Sequence, residues 1–360
     1  MNTTTTVRYR PDQNNYPHPD TPRRNNMFHY YQQPGYRQAV DEEHRPDFPF
    51  VCTLEFTNHC NLKCAFCARQ VMSRPLGCLD EDLLCRMMDE FAEHGAFVKV
   101  NGYGENLLHP QALDFIRRIK RTNGLYFTTN GMLIDDQAAA CFVESDLDVL
   151  QVSFQGVDRE SYESQRIGGS YDRLLANIDR LVGIRGDHPY PFIHLSTTIL
   201  DETPEQIEAF IESAFEHGVD CVGVGRTDYD RVIAEMITEP KQKRRIDEFR
   251  SRQTLEKVPD HTYLYRYSDI NWNGVVVTSF FDFNEFMPVG DMKTQTMREI
   301  WNHSPVLGAM RVLERRGVLS GVQEVLEALE TLRQAGSAHN LPVFDTFYHA
   351  WKLGEKSYNT

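Results

Sequence analysis

From residue 50 onward, the chain alternates short runs of β-branched and aromatic residues with longer amphipathic runs. Strands are predicted at 50–57, 97–100, 125–129, 149–154, 192–199 and 221–224. Helices are predicted between them at 80–94, 111–120, 135–145, 171–185 and 204–217. Strands that alternate with helices are joined by right-handed crossovers and form a parallel sheet. The sequence therefore predicts an α/β fold of six β–α units, curled into a full or partial (β/α)6 TIM-like barrel.

Three cysteines follow the first predicted strand at C-x3-C-x2-C spacing: Cys60, Cys64 and Cys67. Parallel barrels carry their chemistry on loops at the carboxyl ends of strands, and this loop lies at such a position. A fourth cysteine at similar spacing would indicate a closed four-thiolate site. Three thiols instead hold three irons of a cubane and leave the fourth iron open for chemistry. The alternative is a zinc knuckle completed by His59 or Cys78, in a zinc-structural binding protein.

Polar segments follow three further predicted strands, again at their carboxyl ends. They contain Gly102, Gly104 and Glu105 after the second strand, Thr128 and Asn130 at the end of the third, and Ser153 at the end of the fourth, with Arg166 farther along. Taken alone, glycine pairs and Asn-Gly are ordinary turn signals, and an arginine is commonly a solvated surface residue. Their shared position at strand ends favours a binding role.

The cysteine spacing, the Phe66 that precedes Cys67, and the order of the strand-end segments resemble the radical S-adenosylmethionine (SAM) enzymes. The resemblance covers about residues 50–225. It implies that Cys60, Cys64 and Cys67 bind a [4Fe–4S] cluster whose open iron is chelated by SAM. One electron, supplied by an external reductant such as flavodoxin or ferredoxin, then cleaves SAM to a 5′-deoxyadenosyl radical that abstracts hydrogen from a substrate.

The same resemblance implies which residues bind SAM: Phe66, Gly102, Gly104, Glu105, Thr128, Asn130, Ser153 and Arg166. In the family, the backbone of a G-x-G-E-P segment binds the SAM amino group, and only glycine lets a bare backbone approach the ligand closely. Arg166 is expected to pair with the SAM carboxylate or with a substrate anion. Two positions depart from the family pattern, because Asn106 replaces a proline and Gln155 replaces a frequent aspartate.

Residues 231–310 resemble the SPASM/twitch-like extension of many of these enzymes, through a G-x-V-x-x-S segment at 274–279 and an E-I-W segment at 299–301. Such extensions use cysteines to hold auxiliary clusters. Here Ser279 stands at the first cysteine position, and no cysteine follows Cys221. Serine is a poor substitute for thiolate on iron, so we expect a single cluster. The hairpin is expected to be retained as structure, packed by Trp272, Phe280, Phe281, Phe283 and Trp301.

A missing auxiliary cluster favours redox-neutral reactions, because nothing else in the chain is evidently placed to accept an electron from a product radical. The leading hypothesis is the isomerisation, epimerisation or elimination of a small polar metabolite. Cys78, between the cysteine loop and the first predicted helix, is a candidate catalytic residue that returns a hydrogen atom to the substrate radical. The second hypothesis is radical modification of a larger target, either an amino-acid adduct on a nucleobase or a peptide.

The chain is expected to divide into an irregular N-terminal arm (1–49), a barrel (50–230), the extension (231–310) and a C-terminal helical tail (311–360). The formal net charge of −14 argues against a broad nucleic-acid footprint, although it leaves room for a local basic groove. No apolar run approaches membrane-spanning length, and the scattered remaining cysteines suit a reducing cytosol. We therefore expect a cytoplasmic protein without a membrane partner.

Overall fold

The computed structural model describes residues 6–10, 34–227, 244, 264–277, 282–285, 287–316 and 323–337. The strands are β1 (Thr6–Tyr9), β2 (Val51–Leu54), β3 (Phe97–Val100), β4 (Leu125–Thr129), β5 (Val149–Ser153), β6 (Phe192–Ile199), β7 (Cys221–Arg226), β8 (Tyr267–Ile270), β9 (Val275–Val277) and β10 (Pro288–Asp291). They form one ten-stranded sheet in the order β1-β7-β6-β5-β4-β3-β2-β8-β9-β10. Strands β2 to β8 run parallel to one another, whereas β1, β9 and β10 are antiparallel to the strands they join.

The helices are α1 (Pro34–Gln38), α2 (Glu81–Glu93), α3 (Ala112–Lys120), α4 (Asp136–Glu144), α5 (Arg159–Gln165), α6 (Tyr171–Arg185), α7 (Pro204–Glu216), α8 (Met297–His303), α9 (Pro305–Arg316) and α10 (Gln323–Ser337). Side-chain caps explain where several of them begin. Asp80, Asp135 and Thr203 accept hydrogen bonds from first-turn N–H groups of α2, α4 and α7. No helix among these described residues has the length and apolar character needed to cross a membrane.

The predicted α/β class and parallel sheet are confirmed, and the sheet is open, with β1 and β10 at its edges. The structure adds a seventh parallel strand, since β8 pairs with β2 from Val51↔Tyr267 to Leu54↔Ile270. Residues of the predicted extension therefore share the sheet of the predicted barrel. The arm at 1–49 was predicted to be irregular, but its described part contains β1, which pairs with β7. Strand β1 forms one edge of the sheet, and β8 lies beside the first predicted strand, between β2 and β9. Each addition joins an outer strand of the predicted sheet, where unpaired N–H and C=O groups recruit another strand.

The two faces of the sheet differ in what covers them. On one face, strand residues such as Leu54, Phe127 and Val152 pack with helical residues such as Phe91 and Phe142. On the other face, near the amino ends of the strands, a separate apolar cluster consists of Val51, Phe97, Tyr126, Val149, Phe192 and Cys221. Each member is at most 2 % exposed although no helical residue belongs to this cluster. A sheet curled toward this face explains the burial, and we call it the inner face.

Side chains alternate between the faces along each strand. Beyond the apolar cluster, toward the carboxyl ends, the inner-face positions become polar and include Glu55, Lys99, Thr128, Gln151, Ser153 and His194. The loops that carry the predicted site residues follow these same strand ends. The fold thus places the candidate site at the carboxyl edge of a parallel sheet.

Candidate active site

The three cysteines of the C-x3-C-x2-C motif lie together in the loop after β2. The backbone N–H of Cys67 donates to the Cys64 carbonyl at 3.2 Å, which turns the loop back on itself. The backbone N–H of Leu62 donates to Cys60 Sγ at 3.4 Å. The thiols are close enough that charge on Cys60 or Cys64 raises the pKa of Cys67. The structure therefore brings the three predicted ligands to one place.

Burial is the largest influence on these thiols and raises the pKa of Cys60, Cys64 and Cys67, the last to about 11. Nearby positive charge acts on the pKa in the opposite direction to burial. Arg69 lowers the pKa of Cys60, and Arg69 and Arg166 lower that of Cys64. The thiolate is the form that ligates a metal. Buried thiols flanked by N–H donors and arginines fit an iron–sulfur cluster, whose irons stabilise thiolate charge.

Arg166 lies beside the cysteine loop. Two backbone hydrogen bonds, of 2.9 and 2.8 Å, dock the loop onto residues 165–167. The Arg166 guanidinium donates to the Phe154 carbonyl at 3.0 Å and lies 5.5 Å from the ring centroid of Phe66. Arg166 is only 8 % exposed, which argues against a solvated surface arginine. Its buried Nε has no hydrogen-bond partner among the described residues, so this donor fits an anionic group of a bound ligand.

The two glycines after β3 pack directly against the cysteine loop. A Cβ atom on Gly104 would overlap the Thr57 and His59 carbonyl oxygens, and one on Gly102 would overlap the Glu55 side chain. The sequence analysis explained these glycines by the approach of a ligand, whereas the structure shows that the protein's own loop requires them. Contact between this backbone and SAM remains a prediction.

The Glu105 side chain joins two strand-end loops. Its carboxylate, 1 % exposed, accepts hydrogen bonds from Thr129 Oγ1 at 2.7 Å and from the backbone N–H of Asn130 at 2.6 Å. Asn130 in turn donates from Nδ2 to Asn61 Oδ1 at 2.8 Å and lies 4.0 Å from Cys60 Sγ. Glu105 and Asn130 thus connect β4 to the cysteine loop. Their side chains position this loop, and their predicted contacts with SAM remain predictions.

Thr128 and Ser153 lie on the inner face at the carboxyl ends of β4 and β5. Thr128 Oγ1 is buried without a hydrogen-bond partner among the described residues, so it can bond to a ligand. Gln155, to which the sequence analysis gave no charge role, is buried and donates to the Thr198 carbonyl at 2.8 Å and to Thr227 Oγ1 at 2.7 Å. Gln155 therefore supports the neighbouring strands.

Cys78 forms an isolated antiparallel bridge with Thr57, and its Sγ donates to Thr57 Oγ1 at 3.4 Å. The catalytic role of Cys78 remains a prediction. Within the described ranges, no three thiol, imidazole or carboxylate groups converge to hold a single metal ion. The zinc-knuckle alternative therefore gains no support from the geometry, whereas a cubane binds each thiol to a different iron.

A buried ion pair that the sequence analysis missed lies under the cysteine loop. Both terminal nitrogens of the Arg74 guanidinium donate hydrogen bonds to the Glu55 carboxylate, each at 2.7 Å. Both side chains are only 3 % exposed. Glu55 also accepts from the backbone N–H of Tyr103 at 3.0 Å, and Arg74 Nε donates to the Phe283 carbonyl at 2.8 Å. The pair therefore connects the cysteine loop, the glycine segment and the extension. Its sequence signal is a charged Glu55 directly after a buried strand.

The extension packs on the cysteine loop where the structure describes it. Asn284 Oδ1 accepts from the backbone N–H of Ser73 at 2.7 Å, and the Phe283 ring lies 6.0 Å from that of Tyr103. Trp272 lies so close to Gly77 that a Cβ atom there would overlap its ring. Trp272, Phe283 and Trp301 thus pack as apolar residues, while Ser279, Phe280 and Phe281 lie outside the described residues.

The part of the chain that carries this site is similar to known proteins. The family model described as the radical SAM superfamily matches residues 54–214. A GTP 3′,8-cyclase of Chlorobaculum tepidum is 31% identical over 169 residues, which are 46% of this chain and 49% of that protein. A PqqA peptide cyclase of Granulibacter bethesdensis is 31% identical over 123 residues, 34% of this chain and 32% of the other. The chain spans about half the length, or less, of these curated relatives.

The fold is also found among solved structures. Streptococcus suis SuiB bound to S-adenosylmethionine superposes with a TM-score of 0.57 at 15% identity, over 78% of this chain and 72% of that one. Radical SAM families use a [4Fe–4S] cluster and SAM. The three thiols of the loop, with the Arg166 Nε that has no partner in the described chain, fit both groups. This chain therefore carries a radical SAM domain at residues 54–214 and is homologous to enzymes of the radical SAM families.

Proposed function

We propose that the protein is a radical SAM enzyme with one [4Fe–4S] cluster, held by Cys60, Cys64 and Cys67. The observation that carries the proposal is the cysteine loop, in which one buried and two half-buried thiols meet N–H donors and two arginines at the carboxyl edge of a parallel sheet. When bound, the cluster and SAM supply a 5′-deoxyadenosyl radical that removes hydrogen from a substrate. An external one-electron donor such as flavodoxin or ferredoxin and a cytoplasmic location belong to the same proposal.

The protein's own residues bind and orient these groups. We assign Arg166 to an anionic group of SAM, because its Nε is a buried donor without a partner in the described chain. Other contacts with SAM are assigned to Phe66, Gly102, Gly104, Thr128 and Ser153. Glu105 and Asn130 hold the strand-end loops in place, as their hydrogen bonds to each other and to Asn61 indicate.

The reaction we favour is a redox-neutral change of a small polar metabolite: an isomerisation, an epimerisation or an elimination. Support comes from the absence of any cysteine after Cys221, which leaves no thiol ligands for an auxiliary cluster in the extension. The similarity to a protein named GTP 3′,8-cyclase is compatible with a small-molecule substrate. The second candidate is modification of a peptide, which the similarity to a PqqA peptide cyclase favours.

The redox-neutral hypothesis predicts that substrate and product share an oxidation level, or differ only by the group lost in an elimination. The test incubates anaerobically reconstituted enzyme, SAM and dithionite with the small-molecule and peptide fractions of a cell extract. Mass spectrometry should show an isomeric product, or loss of water or ammonia, in the small-molecule fraction. Loss of two hydrogens without an added acceptor contradicts this hypothesis, and a change confined to the peptide fraction supports the second candidate.

The same assay tests Cys78. If its thiol returns the hydrogen atom, Cys78→Ala stops product formation while SAM cleavage continues. Cys85→Ala is the matched control, because Cys85 is a half-buried thiol on α2 and lies outside the proposed site. Equal product formation by Cys78→Ala and the unchanged enzyme would remove Cys78 from the mechanism.

A further inference from the structure

The inner face carries a layer of polar side chains directly above its apolar cluster. Lys99 on β3, Gln151 on β5, His194 on β6 and Asp269 on β8 lie in this layer, and the Tyr126 hydroxyl reaches it from β4. The Tyr126 hydroxyl hydrogen-bonds with Gln151 Oε1 at 2.6 Å and with His194 Nδ1 at 2.8 Å. We call these five residues the inner polar layer. The sequence analysis singled out none of them.

Lys99 carries the positive charge of this layer. Its Nζ lies 5.5 Å from the ring centroid of Tyr126 and forms no hydrogen bond or ion pair within the described part of the chain. Burial lowers the pKa of Lys99, and the negative charge of Asp269 raises it. A buried ammonium that lacks a directly paired anion costs free energy. An anionic group of a ligand would offset that cost.

His194 does not compete with Lys99 for an anion. Burial lowers the pKa of His194 to about 4, and the charge of Lys99 acts in the same direction. The imidazole is therefore neutral near pH 7. With the Tyr126 hydroxyl and the Gln151 amide, it offers neutral hydrogen-bonding groups on one side of Lys99, whereas the Asp269 carboxylate lies on the other side, beyond Thr53 of β2. Such a combination suits a polar ligand with one anionic group.

The layer lies between the apolar cluster and the carboxyl edge of the sheet. Lys99 and Gln151 are half-buried, whereas the apolar cluster beneath them is closed. Strands rise by about 3.3 Å per residue, so Gln151 lies about 7 Å below Ser153 along β5. The buried, unpartnered Thr128 Oγ1 is the register partner of Gln151 on β4. A ligand entering from the loops would thus meet Ser153 first and the inner polar layer next.

We infer that the inner polar layer recognises the substrate and that Lys99 binds an oxyanion of it, either a carboxylate or a phosphate. This inference deepens the proposed function and rests on it, because the bound molecule would lie beneath the residues assigned to SAM. Tyr126 and Gln151 would bond to its neutral polar groups. The substrate class is therefore a small anionic metabolite.

The test measures anion binding to the reconstituted, SAM-loaded protein by calorimetry, with succinate as the carboxylate probe and inorganic phosphate as the phosphoryl probe. Lys99→Gln should weaken binding of the preferred probe roughly tenfold or more, as expected for loss of a charged hydrogen bond. Lys99→Arg keeps the charge and should restore part of the affinity. Lys293→Gln, at an exposed lysine outside the layer, should bind like the unchanged protein.

Every outcome of this experiment either supports the inference or overturns it. The probe that binds more tightly identifies the group as a carboxylate or a phosphate. Unchanged affinity in Lys99→Gln, or no binding of either anion to the unchanged protein, overturns it. Should Lys99→Gln fail to fold, the anions must protect Lys99 of the unchanged protein from reductive methylation, as mapped by mass spectrometry, and absent protection overturns the inference. A failure of the proposed function can be distinguished from a failure of this inference, because it would appear as missing iron in the unchanged protein.

Discussion

Replacement of Cys60, Cys64 or Cys67 by Ala is expected to abolish the absorbance of the reconstituted cluster and all cleavage of SAM. In the proposed cluster each thiol would bind its own iron, and the other five cysteines stand elsewhere in the sequence, so no spare thiol is placed to substitute. Cysteine thiolate is also the usual ligand of iron–sulfur clusters. Visible absorbance and 5′-deoxyadenosine release are the measurements.

Cys85→Ala is the control for this series, because Cys85 lies on α2 and is not part of the cysteine loop. It should retain the iron content of the unchanged protein. A full [4Fe–4S] complement in the triple variant would contradict the assignment and would implicate other cysteines.

The second large effect is expected at the buried ion pair. Arg74→Met leaves the Glu55 carboxylate buried without its partner, and removal of one member of such a pair costs about 3–5 kcal/mol. Urea unfolding of the cluster-free protein measures this change in the free energy of unfolding. The double variant Glu55→Gln with Arg74→Met should lose less than Arg74→Met alone, because the most buried carboxylate is then neutral. Glu285, whose carboxylate lies 3.7 Å from Arg74, keeps its hydrogen bonds from Asn271 and Asn273.

Arg86→Met is the matched control for the ion pair, because Arg86 is exposed on α2. A surface change of this kind should stay within about 0.5 kcal/mol of the unchanged protein. If Arg74→Met is as stable as Arg86→Met, the pair does not hold the cysteine loop against the sheet and the extension.

Local patterns in the sequence predicted much of the fold. Strands β3 and β6 occupy the predicted ranges 97–100 and 192–199, and α6 occupies 171–185. These elements are specified by side chains near one another along the chain, such as the capping Asp80 and Asp135 that begin α2 and α4. The order of strands in the parallel part follows from the rule that successive β–α units lie side by side.

Contacts between distant segments were not predictable in this way. Strand β8 joins β2 although more than half of the chain separates them, and no local pattern encodes that pairing. The hydrogen bond from Arg74 to the Phe283 carbonyl also joins distant segments, and the inner polar layer depends on the curl of the sheet. A signal was nevertheless present, because Lys99 interrupts the apolar run of β3 and His194 that of β6. A charged or titratable residue within a buried strand marks a polar interior.

The number of iron atoms that the protein holds tests the central claim most directly. After anaerobic reconstitution with iron and sulfide, the account predicts a brown protein with about four irons per chain. Mössbauer spectra should show one cluster, and dithionite should drive cleavage of SAM to 5′-deoxyadenosine. A colourless protein that binds zinc instead would contradict the assignment as a radical SAM enzyme. About eight irons per chain, with spectra of two clusters, would contradict the single-cluster account.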